Sequence, residues 1–163
     1  MRYTPKTEDQ LFDSVEAVVK GFDMSLVELS VSRHKGGVQV RAIIYKNGTV
    51  GIDDCARVHR AMLPRLELAF SRQELYIEVS SPGIERKIKD GSEFIHYIGR
   101  QLTCYRTDIS DWTSGILMSA GDTHIVIKGK NEMINLPYGV IAKAKLTSFT
   151  FDTQSKLKEE AAL

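Results

Sequence analysis

Residues 75–86, Leu-Tyr-Ile-Glu-Val-Ser-Ser-Pro-Gly-Ile-Glu-Arg, constrain the fold more than any other stretch of this chain. Leu75, Ile77 and Val79 alternate with Tyr76, Glu78 and Ser80, the period-two pattern of a strand with one buried face. Pro82-Gly83 stops it. Proline fixes φ and glycine accepts φ > 0, the pairing a type II turn uses. A mixed-charge run, Glu85-Arg86-Lys87-Ile88-Lys89-Asp90, follows at once. A strand that ends where the chain bends and polar groups collect marks a boundary between folding units, so Ser81, Pro82 and Gly83 are read as a domain joint.

The stretches on either side differ in texture. Residues 7–20 carry apolar side chains at helical spacing (Leu11, Phe12, Val15, Val18, Val19), with Thr7 as cap. Residues 26–33 and 38–45 alternate as strands. The first places Val27, Leu29 and Val31 on one face, and His34-Lys35-Gly36-Gly37 forms a hairpin turn between the two. A second helix, capped by Asp53 or Asp54, runs to about Phe70 despite Pro64, and residues 73–80 form the third strand. Beyond the joint, residues 92–98 form a short helical turn. Five short strands follow, at 101–107, 113–119, 124–128, 133–136 and 142–147, with tight turns between them and a 3₁₀ turn at Pro137–Val140. Gly115 lets a strand bend, and the set suggests a small closed barrel. The expected class is α+β. An α-β-β-α-β domain covers residues 1–82, a joint 83–91, a β-barrel 92–150 and a polar tail 151–163.

Composition narrows the function classes. The 163 residues hold 22 basic and 21 acidic side chains, split evenly about Pro82, so no arm binds nucleic acid by bulk charge. No apolar run is long enough to span a membrane, and no secretory signal precedes residue 10. Cys55 and Cys104 are too few for a disulfide framework, which fits a cytoplasmic location.

Three segments resemble the ribosome maturation factor RimP family. Leu75–Arg86 looks like its LEVSSPGLDR segment, Gly51-Ile52-Asp53-Asp54-Cys55 like its GVTLDDC helix start, and Leu136–Leu146 like its IPFDNIAKARL closing segment. They stand in the same order and span most of residues 8–150. The resemblance implies an N-terminal α+β domain and a C-terminal Sm-like, SH3-like barrel. It also implies a non-enzymatic assembly factor, without cofactor, that binds the free small (30S) ribosomal subunit through ribosomal RNA and a small-subunit ribosomal protein and promotes its maturation. A monomer is expected. The sequence departs from the pattern at Lys87, where the family usually has proline, in its near-neutral charge, and in the short 108–111 loop. The rival reading is an Sm-like RNA-binding regulator.

Other chemistry has thinner support. Cys55 and His59 are four apart on a helix, the spacing of a thiol and a base, but no third orienting group is evident. Helix capping explains Asp53-Asp54 with fewer assumptions than a cation site, and the histidines lack metal-ligand spacing. No phosphate-binding glycine motif is present, nor the G-x-x-G clamp of KH-like units. Arg57, Arg60 and Arg65 on the second helix face either ribosomal RNA or solvent, and solvent is the preferred reading. Three basic clusters are the RNA-contact candidates: Arg33 and Lys35 with His34 on the hairpin; Arg86, Lys87 and Lys89 at the joint; and Lys128 and Lys130 at a strand turn. Arginine favours bidentate phosphate contact, so Arg33 and Arg86 rank first. Tyr76 and Tyr105 could stack on bases, although strand packing competes for each.

Overall fold

A computed structural model describes residues 1–71, 73–83 and 86–147. Ile84 and Glu85 of the joint, the end of the expected barrel at 148–150 and the expected tail at 151–163 lie outside the described residues. The architecture is α+β and divides into two compact units. One is Lys6–Gly83. The other joins Met1–Pro5 to the chain beyond Gly83.

The Lys6–Gly83 unit contains α1 (Gln10–Lys20), β1 (Ser25–His34), β2 (Gly37–Tyr45), α2 (Ile52–Ala69) and β3 (Glu74–Ser80). The most apolar strand, β2, lies in the middle, antiparallel to β1 and parallel to β3, with α2 as the crossover. Val38, Val40, Ala42 and Ile44 project from β2 onto Val15 and Val19 of α1 and Val58, Met62 and Leu66 of α2, all fully buried. Each larger aliphatic side chain so buried contributes about 2 kcal/mol before the cost of ordering the chain.

Three local expectations change. The cap of α1 is Asp9, whose carboxylate accepts from Leu11 and Phe12 N–H at 3.0 and 3.2 Å, so the helix starts three residues later than Thr7. Neither Asp53 nor Asp54 is the cap of α2. Gly51 is, and Asp54, one turn in, accepts from the Gly51 N–H at 2.9 Å. In β1 a register shift between Leu26 and Glu28 interrupts the alternation, so Leu26 and Leu29 join the core while Val31 is exposed.

The second unit holds β4 (Gln101–Arg106), β5 (Asp111–Ala120), β6 (His124–Lys128), β7 (Met133–Pro137) and β8 (Ile141–Leu146), with 3₁₀ turns at Gly91–Tyr97 and Tyr138–Val140. All five expected strands form, but the expected closed barrel is not found. They make one antiparallel sheet in the order β7-β6-β5-β4-β8, and no ladder joins β7 to β8 among the described residues. The free side of β8 is occupied instead. Ile88 N–H donates to Ala144 and Leu146 N–H to Arg86, so residues 86–88 line that edge where β7 would have to pair. Met1–Pro5 belong here because Gly91 N–H donates to Arg2 at 2.8 Å and Tyr3 stacks on Tyr138 at 5.5 Å.

Candidate nucleic-acid interface

The β1–β2 hairpin tip is exposed at Arg33, His34 and Lys35. His34 pairs with Gly37, which leaves a two-residue loop of Lys35 and Gly36, both at positive φ (25° and 83°). That is the backbone of a type I′ turn, which matches strand twist and normally selects Asn-Gly or Gly-Gly. A lysine held there is strained, and strain of this kind concentrates at functional positions.

The joint cluster separates. The Arg86 guanidinium donates to the Glu93 carboxylate, with the two side chains only 9% and 8% exposed. Tyr97 Oη also donates to that carboxylate, at 3.0 Å, and burial followed by the Glu93 charge pushes the phenol pKa upward. Arg86 is therefore spent on internal structure, while Lys87 and Lys89 are exposed. Gly83, expected at φ > 0 in a type II turn, is not in the left-handed region, and a Cβ there would meet nothing within 4 Å.

Lys128 and Lys130 are exposed at the β6–β7 turn, which the Gly129 N–H closes on Glu132 at 2.9 Å. Lys87 lies beside β8, four strand positions along the sheet from Lys128 on β6, so the second and third clusters stand on different strands.

Of the tyrosines, Tyr76 is 56% exposed on the sheet face opposite the helices, so packing does not claim it. Tyr105 lies edge-on to Trp112 at 5.4 Å across the β4–β5 pair. The sequence reading missed Trp112. Its signal was the alternation of β5, which shows a partner for Tyr105 only once the register is known.

The second helix supplies structure rather than chemistry. Asp54 accepts from Lys46 at 2.9 Å, from the Gly51 N–H and from Arg57 at 2.6 Å. The lysine contact first, and then the backbone donor, hold its carboxyl down at about 2. Arg57 also lies over the Phe22 ring, and Arg65 donates to Ser14 of α1 at 3.2 Å. Burial, then the Asp54 charge, push the Cys55 thiol up and away from the thiolate a nucleophile needs. Cys104 is buried and pushed up to about 12. No cluster of metal-ligating side chains occurs among the described residues. No helix among them is long and apolar enough to cross a membrane.

The RimP N-terminal domain family model matches residues 14–85. Similar curated proteins include "Ribosome maturation factor RimP" of Borrelia hermsii, 27% identical over 138 residues that cover 85% of this chain and 94% of the relative. The proteins of the same name from Borrelia recurrentis and Borreliella afzelii are 25% and 24% identical at the same coverage.

Proposed function

We propose that this chain, which belongs to the RimP family, is a ribosome maturation factor that acts by binding the free small ribosomal subunit and without catalysing a reaction. The observation that carries the reading is the correspondence with relatives named for ribosome maturation over 85% of this chain and 94% of theirs, so both units take part in the match. The surface chemistry supports it. Arg33 and Lys35 project from a hairpin tip, Lys128 and Lys130 from a second turn, and Lys87 and Lys89 from a third position, all exposed. Contacts spread over separate basic points suit a large ribonucleoprotein better than a small substrate. The raised thiol of Cys55 gives no support to covalent catalysis. To promote assembly, the protein must bind the immature particle more tightly than the mature one, because equal affinity shifts no population.

The test is sedimentation of lysate from cells carrying a tagged chain. The protein should migrate with free small subunits and not with translating ribosomes, and its deletion should deplete mature small subunits. Absence from the small-subunit fractions together with an unchanged subunit profile would refute the reading.

A further inference from the structure

We infer that the outer face of the β4–β8 sheet binds a single-stranded RNA segment, with phosphates on Lys87, Lys143 and Lys145 and a base stacked on Trp112. The argument starts from register. Lys87 and Lys145 stand directly opposite each other in an antiparallel bridge, and the flanking hydrogen bonds, Ile88 to Ala144 and Leu146 to Arg86, make them the close, non-hydrogen-bonded kind of pair. Both side chains therefore leave the same face at short range, an arrangement that disfavours like charges. Lys143 follows two residues along, about 7 Å away on that face. Among the described residues no carboxylate lies within ion-pair distance of any of the three. Among the described residues this row of cations is uncompensated, and such a row costs stability unless an anion comes to it.

The aromatic component lies in the adjacent register positions. Lys143 is opposite Tyr105, and Tyr105 is opposite Trp112; Lys145 is opposite Thr103, and Thr103 is opposite Ser114. A row of cations thus lies beside a pair of rings on one surface, with the Ser114 hydroxyl donating to Thr103 Oγ1 at 3.0 Å next to them. Trp112 is 47% exposed, while Tyr105 meets it edge-on and holds the indole in place. A positive track beside an exposed ring is the chemistry of single-strand binding, because a splayed base offers a π-face and its backbone offers charge. A duplex keeps its bases stacked inside and offers no splayed face to Trp112, so the surface favours single strand over duplex. The sheet of the other unit lacks the combination: Arg41, near exposed Tyr76, is paired with Glu78 at 3.7 Å.

The inference rests on the proposed function only for the origin of the strand, ribosomal RNA. The experiment uses the full chain and labelled oligouridylate and oligoadenylate, with an RNA hairpin as duplex control, read by fluorescence anisotropy over a salt series. Trp112→Ala should weaken single-strand binding about ten-fold or more, and Trp112→Phe should keep most of it. The pair Lys87→Gln with Lys145→Gln should make the log–log salt slope shallower by about 1.4, roughly 0.7 for each phosphate that no longer has a lysine to neutralise it. Its thermal midpoint should hold or rise, since the like-charge contact is gone, which rules out misfolding as the cause. Affinity unchanged in all variants, or equal affinity for hairpin and single strand, overturns the inference. Variants that bind oligomers normally but leave the small-subunit fractions also overturn it, because the face then docks a protein, and the ribosomal reading survives. Oligomer binding sensitive to these variants, from a protein that never migrates with subunits, leaves this inference standing and sinks the other.

Discussion

Arg86 and Glu93 form an ion pair inside the second unit, the guanidinium donating to the carboxylate with both side chains more than nine-tenths buried. A buried pair of this kind contributes little net stability over an apolar pair of equal size, but removing one partner leaves an uncompensated charge. Arg86→Ala should cost about 3–5 kcal/mol in urea unfolding of this unit. Arg86→Met combined with Glu93→Leu should recover most of that loss. If Arg86→Ala is neutral to folding and weakens only RNA binding, the side chain is a contact residue after all.

Gly115 on β5 faces the backbone of β6 so closely that an added Cβ would lie 2.6 Å from the Lys128 carbonyl oxygen. The obstacle is main chain, which cannot rotate away as a side chain would. Gly115→Ala should therefore force the β5–β6 ladder apart and cost about 1–3 kcal/mol, the ordinary range for overpacking. Thermal unfolding measures it, and an unchanged midpoint would show that the ladder yields at no cost.

These two residues show what the sequence could and could not disclose. Alternation and turn chemistry located the eight strands and both long helices found among the described residues, because each signal is local. Gly115, expected to let a strand bend, also makes a close approach between strands, which depends on which backbone lies opposite. Closure of the five strands into a barrel failed for a similar reason: residues 86–88, outside every expected strand, occupy the edge of β8. The reversal at Arg86 follows the same rule. An arginine in a polar run looks exposed until Glu93, seven residues on, is folded against it. Lys87 stood out as a departure from the family pattern, but its significance depends on Lys145, far along the chain.

Lys35 occupies a type I′ position that favours asparagine. Lys35→Asn should relieve the strain and stabilise the Lys6–Gly83 unit by about 0.5–1 kcal/mol, a rise of a few degrees in unfolding temperature. It also removes a cation from the exposed tip. Stability that rises while association with small subunits weakens would mark the lysine as retained for contact. If both improve, the tip is not part of the interface.

Asp90 caps the 3₁₀ turn Gly91–Tyr97 and ties it to the first residues of the chain. Its carboxylate accepts from the Thr4 N–H at 2.9 Å, from Thr4 Oγ1 at 2.7 Å, and from the Ser92 N–H and hydroxyl at 2.9 and 2.7 Å. Burial pushes the carboxyl upward, but these donors outweigh it and hold it at about 2, below its ordinary 3.8. A carboxyl depressed on folding contributes stability that is complete above the unfolded value and disappears as pH falls through the folded one. The contribution should therefore be full above about pH 4 and lost towards pH 2. Asp90 is half-buried and its hydrogen bonds to Thr4 are exposed, so the nominal shift is discounted to about 1 kcal/mol. Asp90→Asn should unfold more easily than the parent protein at pH 6, and the gap should close by about pH 2. Thr4→Ala, which removes one donor and leaves the carboxylate, should show a smaller gap over the same window. A gap that is independent of pH would mean that the cap acts through shape rather than charge.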